Sequence, residues 1–152
     1  MVERSVRPSN LCMDNTLVKG MTTELDCIRS FIQRGFQVSI PYGNCARYDF
    51  IADDGKKLYR IQCKGSSWVD ETHTAFKFEC RSSKQTGKGV SKRSYDESQI
   101  DYFATFFEGK CYLVHVSECS TQKTLRFTAP KSGQIKGITF AKDQEIDVIF
   151  KE

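Results

Sequence analysis

Glu24, Asp49, Gln62 and Lys64 are polar residues set among apolar ones at helix-like or strand-like spacing. Glu24 follows Met21 by three residues and precedes Ile28 by four, so helical geometry projects it from an apolar side. A carboxylate there is costly unless it is paired or binds a cation. A boundary position that reaches solvent accounts for it as well. Asp49 lies between Tyr48 and Phe50 in a strand-like run, a setting from which Asp is depleted. Arg60, Gln62 and Lys64 alternate with Tyr59, Ile61 and Cys63, giving one strand a polar face and an apolar one. A carboxylate, an amide oxygen and an ammonium on adjoining strands are what metal-dependent phosphodiester hydrolysis requires. Mg²⁺ takes hard oxygen ligands, one or two carboxylates among them. A nearby Lys can orient the attacking water and offset charge that builds on phosphorus. The outer face of a solvated sheet is polar too, and periodicity alone leaves both readings open.

The elements that must position these residues follow from periodicity and turn chemistry. Asp14 or Asn15 is a good N-cap for an amphipathic helix that runs to about Arg34 and stops at Gly35. Its apolar stripe is Leu17, Met21, Leu25, Ile28, Phe31 and Ile32, expected to face the core. Alternation predicts strands at residues 36–40, 48–52, 58–64 and 74–80. Asp53-Asp54-Gly55-Lys56 is a hairpin turn signal between the second and third. One register of that hairpin sets Asp49 opposite Arg60, and a two-residue shift sets it opposite Gln62. Residues 81–93 lack periodicity and read as a polar loop. A capping-box pattern from Ser94 to Glu97, followed by Ile100, Phe103, Ala104 and Phe107, predicts a second helix. Residues 111–116, 125–128 and 146–150 read as further strands. The expectation is an α/β fold, a mixed sheet flanked by α-helices, in one domain over 14–152. Residues 1–13 form a loose, flexible N-terminal arm in this reading.

The chain has 152 residues, 39% of them hydrophobic and 28% charged, with 23 Lys and Arg against 19 Asp and Glu. That length suits one domain with a real core and excludes collagen-like, coiled-coil and wholly disordered classes. No apolar run approaches a membrane span and no secretory signal opens the chain, so a soluble, cytoplasmic protein with no membrane partner is expected. The seven cysteines include no CxxC pair, and only His73 and His115 could join them around zinc. They read as reduced packing residues. Trp68 and His73 read as core or rim packing, with an edge contact to DNA as the alternative, His115 as a core histidine, and Tyr95 and Asp96 as helix-start residues.

Charge is distributed unevenly. Residues 56–93 hold ten Lys and Arg against three acids, a surplus of seven in a chain whose net charge is +4. One basic segment on a neutral-to-acidic body suits a docked polyanion, and equally a solvated Lys-rich loop.

The order Glu24, then Tyr48-Asp49, then Gln62-Cys63-Lys64, set on a helix, a strand and a hairpin, resembles the PD-(D/E)xK nuclease superfamily. The stretch from Lys19 to Ser66 is similar to intron-encoded homing endonucleases of this restriction-endonuclease-like fold and to archaeal-type Holliday junction resolvases. The resemblance implies that Glu24, Asp49, Gln62 and Lys64 are catalytic. It implies a Mg²⁺ site, with Mn²⁺ as a substitute, formed by Glu24, Asp49, Gln62 and the backbone carbonyl of Cys63. It also implies a DNA endonuclease acting as a homodimer or homotetramer on double-stranded or branched DNA. Arg81, Lys84, Lys88, Lys92 and Arg93 then become candidate phosphate contacts. Two departures stand out: Tyr48 replaces the Pro that names the motif, and Gln62 replaces its second acid. A DNA-binding module that keeps the fold without catalysis is the reading that Gln62 favours.

Overall fold

The computed structural model describes residues 14–151 of the chain; the expected N-terminal arm lies outside them. Asp14 caps α1 (Asn15–Gln33), its carboxylate accepting from the Thr16 N–H at 3.0 Å. Gly35, at φ +85°, ends the helix in the left-handed region that glycine enters freely.

Ten strands follow among the described residues: β1 (Gln37–Ser39), β2 (Phe50–Asp53), β3 (Leu58–Cys63), β4 (Ser66–Trp68), β5 (Ala75–Glu79), β6 (Arg81–Thr86), β7 (Gly89–Ser94), β8 (Tyr102–Phe107), β9 (Lys110–His115) and β10 (Gln122–Arg126). A short helix, α2 (Ile146–Ile149), closes the described chain. The central sheet has the order β1-β2-β3-β8-β9, with β3 and β8 parallel and its other neighbours antiparallel. It is therefore mixed, as expected. α1 and α2 cover one face, where Cys27, Phe31, Phe50, Ile61, Leu113 and Ile146 form a core. The antiparallel sheet β10-β5-β4 covers the other, over Phe76, Phe78, Ile100, Phe103, Val114 and Leu125.

Four expectations about the elements and their facing are corrected. Residues 102–107 are strand β8 rather than a helix. β8 lies inside the sheet with apolar cover on both faces, so its residues alternate between two cores and not between core and water. That leaves no polar–apolar alternation, and the apolar spacing imitates a helix. Residues 81–94 form a two-stranded ribbon, β6–β7, not a loop; nearly every residue is exposed, so no face is marked by hydrophobicity. Residues 146–149 are helix, not strand. The apolar stripe of α1 does not face the core as a whole. Thr23, Cys27 and Phe31 are buried, while Leu17, Met21, Leu25 and Ile32 are exposed. Apolar residues spread over a wider arc of α1 than the single stripe that a helix lays on a sheet.

Among the described residues no helix is long and apolar enough to cross a membrane. None of the six described cysteines is bridged, and Cys27, Cys80 and Cys111 are buried as packing residues. Trp68 packs at the edge of the second core with the His73 ring stacked 4.4 Å away. His115 is not in the core: its Nδ1 caps the turn that follows, accepting from the Ser117 N–H.

Candidate active site

The β2–β3 hairpin adopts the shifted register. Asp54 ties the turn by accepting from the backbone N–H groups of Lys56 and Lys57 at 2.8 and 2.7 Å. The pairs Asp53–Leu58 through Phe50–Ile61 extend to Asp49 opposite Gln62. Asp49 lies one residue before β2, and its N–H donates to the Ile61 carbonyl at 2.8 Å. Its Oδ2 accepts from the Cys63 N–H at 2.7 Å. The carboxylate is thus fixed at the end of β3 by the backbone of the residue beside it.

The first half of α1 runs past this point. Leu17, Met21, Glu24, Asp49, Gln62, Cys63 and Gly65 line one open cleft. Lys19 holds the helix there, its Nζ donating to the Ser66 carbonyl at 3.1 Å. Burial, then the nearby Asp49 charge, raises the Glu24 carboxyl above its ordinary range. Burial raises Asp49 as well, outweighing the Cys63 N–H and the Lys64 charge, which pull it down. Two carboxyls that burial holds back from ionising, Glu24 with the Asp49 charge beside it as well, make a site that a cation relieves. Gln62 Nε2 donates to the Cys63 carbonyl at 3.2 Å, which brings an amide and a peptide oxygen to the same cleft.

Lys64 stands at the side nearest the ribbon. Its Nζ donates to the Arg81 carbonyl at 3.0 Å and lies 5.2 Å from the centre of the Tyr95 ring. Burial lowers its pKa while the Asp49 charge opposes the shift. The expected residues Glu24, Asp49, Gln62 and Cys63 thus share one cleft, with Lys64 at the root of β6. Arg60, polar by alternation, is used elsewhere. Its guanidinium binds the Asp101 carboxylate and the Glu97 and Ser98 carbonyls, tying β3 to the entry of β8.

Sequence patterning does not single out Arg47. Its guanidinium stacks 3.9 Å from the Tyr95 ring centre and donates to Ser82 Oγ and the Ser94 carbonyl, each at 2.8 Å. It clamps both strands of the ribbon at their base. Tyr95 is shared between Arg47 and Lys64 rather than starting a helix. The one local hint is an Arg two residues before Asp49, since these hydrogen bonds span 35 and 47 positions.

The five basic candidates divide. Arg81 Nε bonds Glu79 at 2.7 Å and Lys92 Nζ lies 3.7 Å from the same carboxylate. Lys84, Lys88 and Arg93 project from the exposed ribbon. A separate cleft across α1, lined by Arg29, Arg34, Lys110, Glu145 and Asp147, has its carboxylates paired to Arg34 and Lys110.

Comparison with known proteins bears on the fold and the family. The family model of PD-(D/E)XK endonucleases matches residues 14–147. The solved structure of a bacterial homing endonuclease, I-Ssp6803I, is similar with a TM-score of 0.70 and 18% sequence identity, over 87% of this chain and 89% of that one. Curated proteins give no match.

Proposed function

The chain belongs to the PD-(D/E)XK endonuclease family, and from that premise we propose that it is a Mg²⁺-dependent, site-specific DNA endonuclease of homing type. One observation carries the reading: Glu24 and Asp49 meet in a single cleft, each with a raised pKa, at the root of an exposed basic ribbon. Likeness of fold to a homing endonuclease supports the choice within the family.

The donor set suits a hard divalent cation. Glu24, Asp49, the Gln62 amide oxygen and the Cys63 carbonyl are all oxygen ligands, two of them anionic. A Mg²⁺ held by them supplies Lewis acidity to the scissile phosphate and to the water that attacks it. The remaining work falls to the chain. Asp49 is pre-oriented by the Cys63 N–H and needs no rearrangement to present its free oxygen. Lys64 spends one of three N–H donors on the Arg81 carbonyl, leaving two for a phosphate oxygen or the attacking water. Charge that builds on phosphorus in the transition state meets this ammonium where burial strengthens the interaction. The ribbon cations bind the DNA backbone, and the enzyme works inside the cell.

Cleavage of linear duplex, supercoiled plasmid and four-way junction, each with Mg²⁺ or EDTA, tests this reading. The expected result is Mg²⁺-dependent cutting of duplex at discrete sites, abolished in Asp49→Ala. Preference for the junction would make the protein a resolvase. Binding without cutting on all three substrates would make it the inactive module that Gln62 suggests.

A further inference from the structure

A lysine carries its charge at the end of a flexible four-carbon stem, and ordering that stem costs rotamer entropy. A donor that meets charge as it develops must be in place beforehand. The main chain of Lys64 is fixed by β8, its N–H donating to the Ala104 carbonyl at 2.9 Å. The ammonium is held from the ribbon instead. Nζ donates to the carbonyl of Arg81, where β6 begins, and lies over the ring of Tyr95, the residue that follows β7. Arg81 and Ser94 pair across the root of the ribbon, so both holds on the ammonium come from that root.

The two holds differ. The carbonyl is a backbone group that any residue at position 81 supplies, and one hydrogen bond leaves the ammonium free to swing about it. A second direction comes from the ring. A cation within about 6 Å of an aromatic centre is attracted to the ring face, and Nζ lies 5.2 Å from the centre of Tyr95. The ring is itself held. Its neighbour in the second core is buried Phe103, 5.3 Å away with the ring planes at 85°. The Arg47 guanidinium stacks 3.9 Å from the same ring centre while bonded to Ser82 Oγ and the Ser94 carbonyl. Tyr95 thus joins the apolar core, the ribbon and the ammonium. Packing on Phe103 asks only for an apolar side chain of that size. Facing two cations asks for the negative face of an aromatic ring.

We propose that Tyr95 is a positioning residue for cleavage: its ring holds the Lys64 ammonium in the place from which it meets the scissile phosphate, and ties that ammonium to the root of the ribbon. The effect on rate rests on the nuclease reading; the placement of Lys64 does not. Tyr95 touches no reacting atom and acts only through Lys64. Loss of the ring therefore lowers kcat and leaves KM unchanged. Arg47 keeps its hydrogen bonds to both strands in that case, so the ribbon cations still grip the duplex.

Cleavage at saturating DNA and NMR of the full chain decide the matter, with Tyr95→Leu and Tyr95→Phe as the variants. Leucine fills the space beside Phe103 without an aromatic face. Tyr95→Leu should lose about 10-fold in rate, the scale of one desolvated cation–π contact, with KM and DNA affinity unchanged. Tyr95→Phe should keep the parent's rate, since the ring and not the hydroxyl acts. In a Lys64→Ala background Tyr95→Leu should cost nothing further, as for two residues that act through one group. A second readout needs no cleavage. With isotope-labelled lysine, the Lys64 ε-methylene, identified by its loss in Lys64→Ala, should resonate upfield because it lies over a ring. Tyr95→Phe should keep that shift and Tyr95→Leu should abolish it. Fluorinated phenylalanines in place of Tyr95 cover a leucine variant that misfolds. They keep the ring's shape while draining negative charge from its face, so the rate should fall with each added fluorine, and a constant rate would overturn the proposal. A Tyr95→Leu protein that cuts as fast as the parent also overturns it. So does an equal loss in the Lys64→Ala background, a loss in Tyr95→Phe as large as in Tyr95→Leu, or a methylene shift that survives Tyr95→Leu. A parent that cuts no substrate ends the nuclease reading instead, and the methylene shift then decides the placement of Lys64 by itself.

Discussion

Asp49 holds a charge in a place that resists charge, and several expectations follow at the scale of single residues. Burial and the nearby Asp49 charge raise Glu24, and burial raises Asp49 against the pull of the Cys63 N–H and Lys64. The native state therefore keeps protons that the unfolded chain has released above a carboxylate pKa of about 4. Their contribution to stability is greatest below that pH and is lost as pH rises through the folded values. In EDTA, Asp49→Asn should gain stability relative to the parent between pH 4 and pH 8. Adding Mg²⁺ at pH 8 should raise the thermal midpoint of the parent and leave that of Asp49→Asn unmoved. A parent indifferent to Mg²⁺ would place the metal elsewhere. Lys64→Ala should lose about 10²–10³-fold in cleavage rate, the scale for one donor to a developing oxyanion, while binding DNA as before. Gln62→Glu adds a carboxylate to the donor set, so cleavage should saturate at a lower Mg²⁺ concentration; an unchanged titration would show that position 62 takes no part in holding the ion.

At the scale of elements, the ribbon is joined to the site at its base, by Arg47 on Ser82 and Ser94 and by Lys64 on the Arg81 carbonyl. Removing Lys84, Lys88, Lys92 and Arg93 together should weaken binding to all sequences alike. For every phosphate that these side chains no longer neutralise, the slope of log K against log salt should flatten by about 0.9. An unchanged slope would mean that the DNA lies on another surface. Arg47→Ala should cost about 1–2 kcal/mol, because the guanidinium no longer stacks on Tyr95. It should also lower DNA affinity at constant ribbon charge, because the cations would no longer be held in place. The elements differ in how legible they are. The β2–β3 hairpin announces itself through Asp53-Asp54-Gly55 and clean alternation, because one of its faces is apolar and the other polar. β8 does not, because both its faces are covered. The ribbon does not either, because neither of its faces is.

For the whole molecule, α1 is the hinge between what is packed and what is left free. Phe31 meets Phe36, Phe50 and Phe150 with ring centres 5.2 to 5.9 Å apart. Phe31→Ala should cost about 3–5 kcal/mol, whereas Leu25→Ala, on the exposed side, should change the stability by less than about 0.5 kcal/mol. Denaturant titration of both variants separates the two sides of one helix. From sequence alone, Glu24, Asp49, Gln62 and Lys64 could be picked out as polar groups set among apolar ones, although periodicity by itself assigns them no chemistry. So could the helix cap at Asp14, the hairpin turn and the mixed α/β plan. Tertiary structure decided the rest. It chose the register that sets Asp49 beside Gln62, turned the Cys27–Phe31 side of α1 inward, made a strand of residues 102–107 and folded the basic segment into a ribbon clamped by Arg47. Each of those outcomes depends on which surfaces meet. A sequence records which residues are apolar, but only packing determines which apolar surface finds a partner.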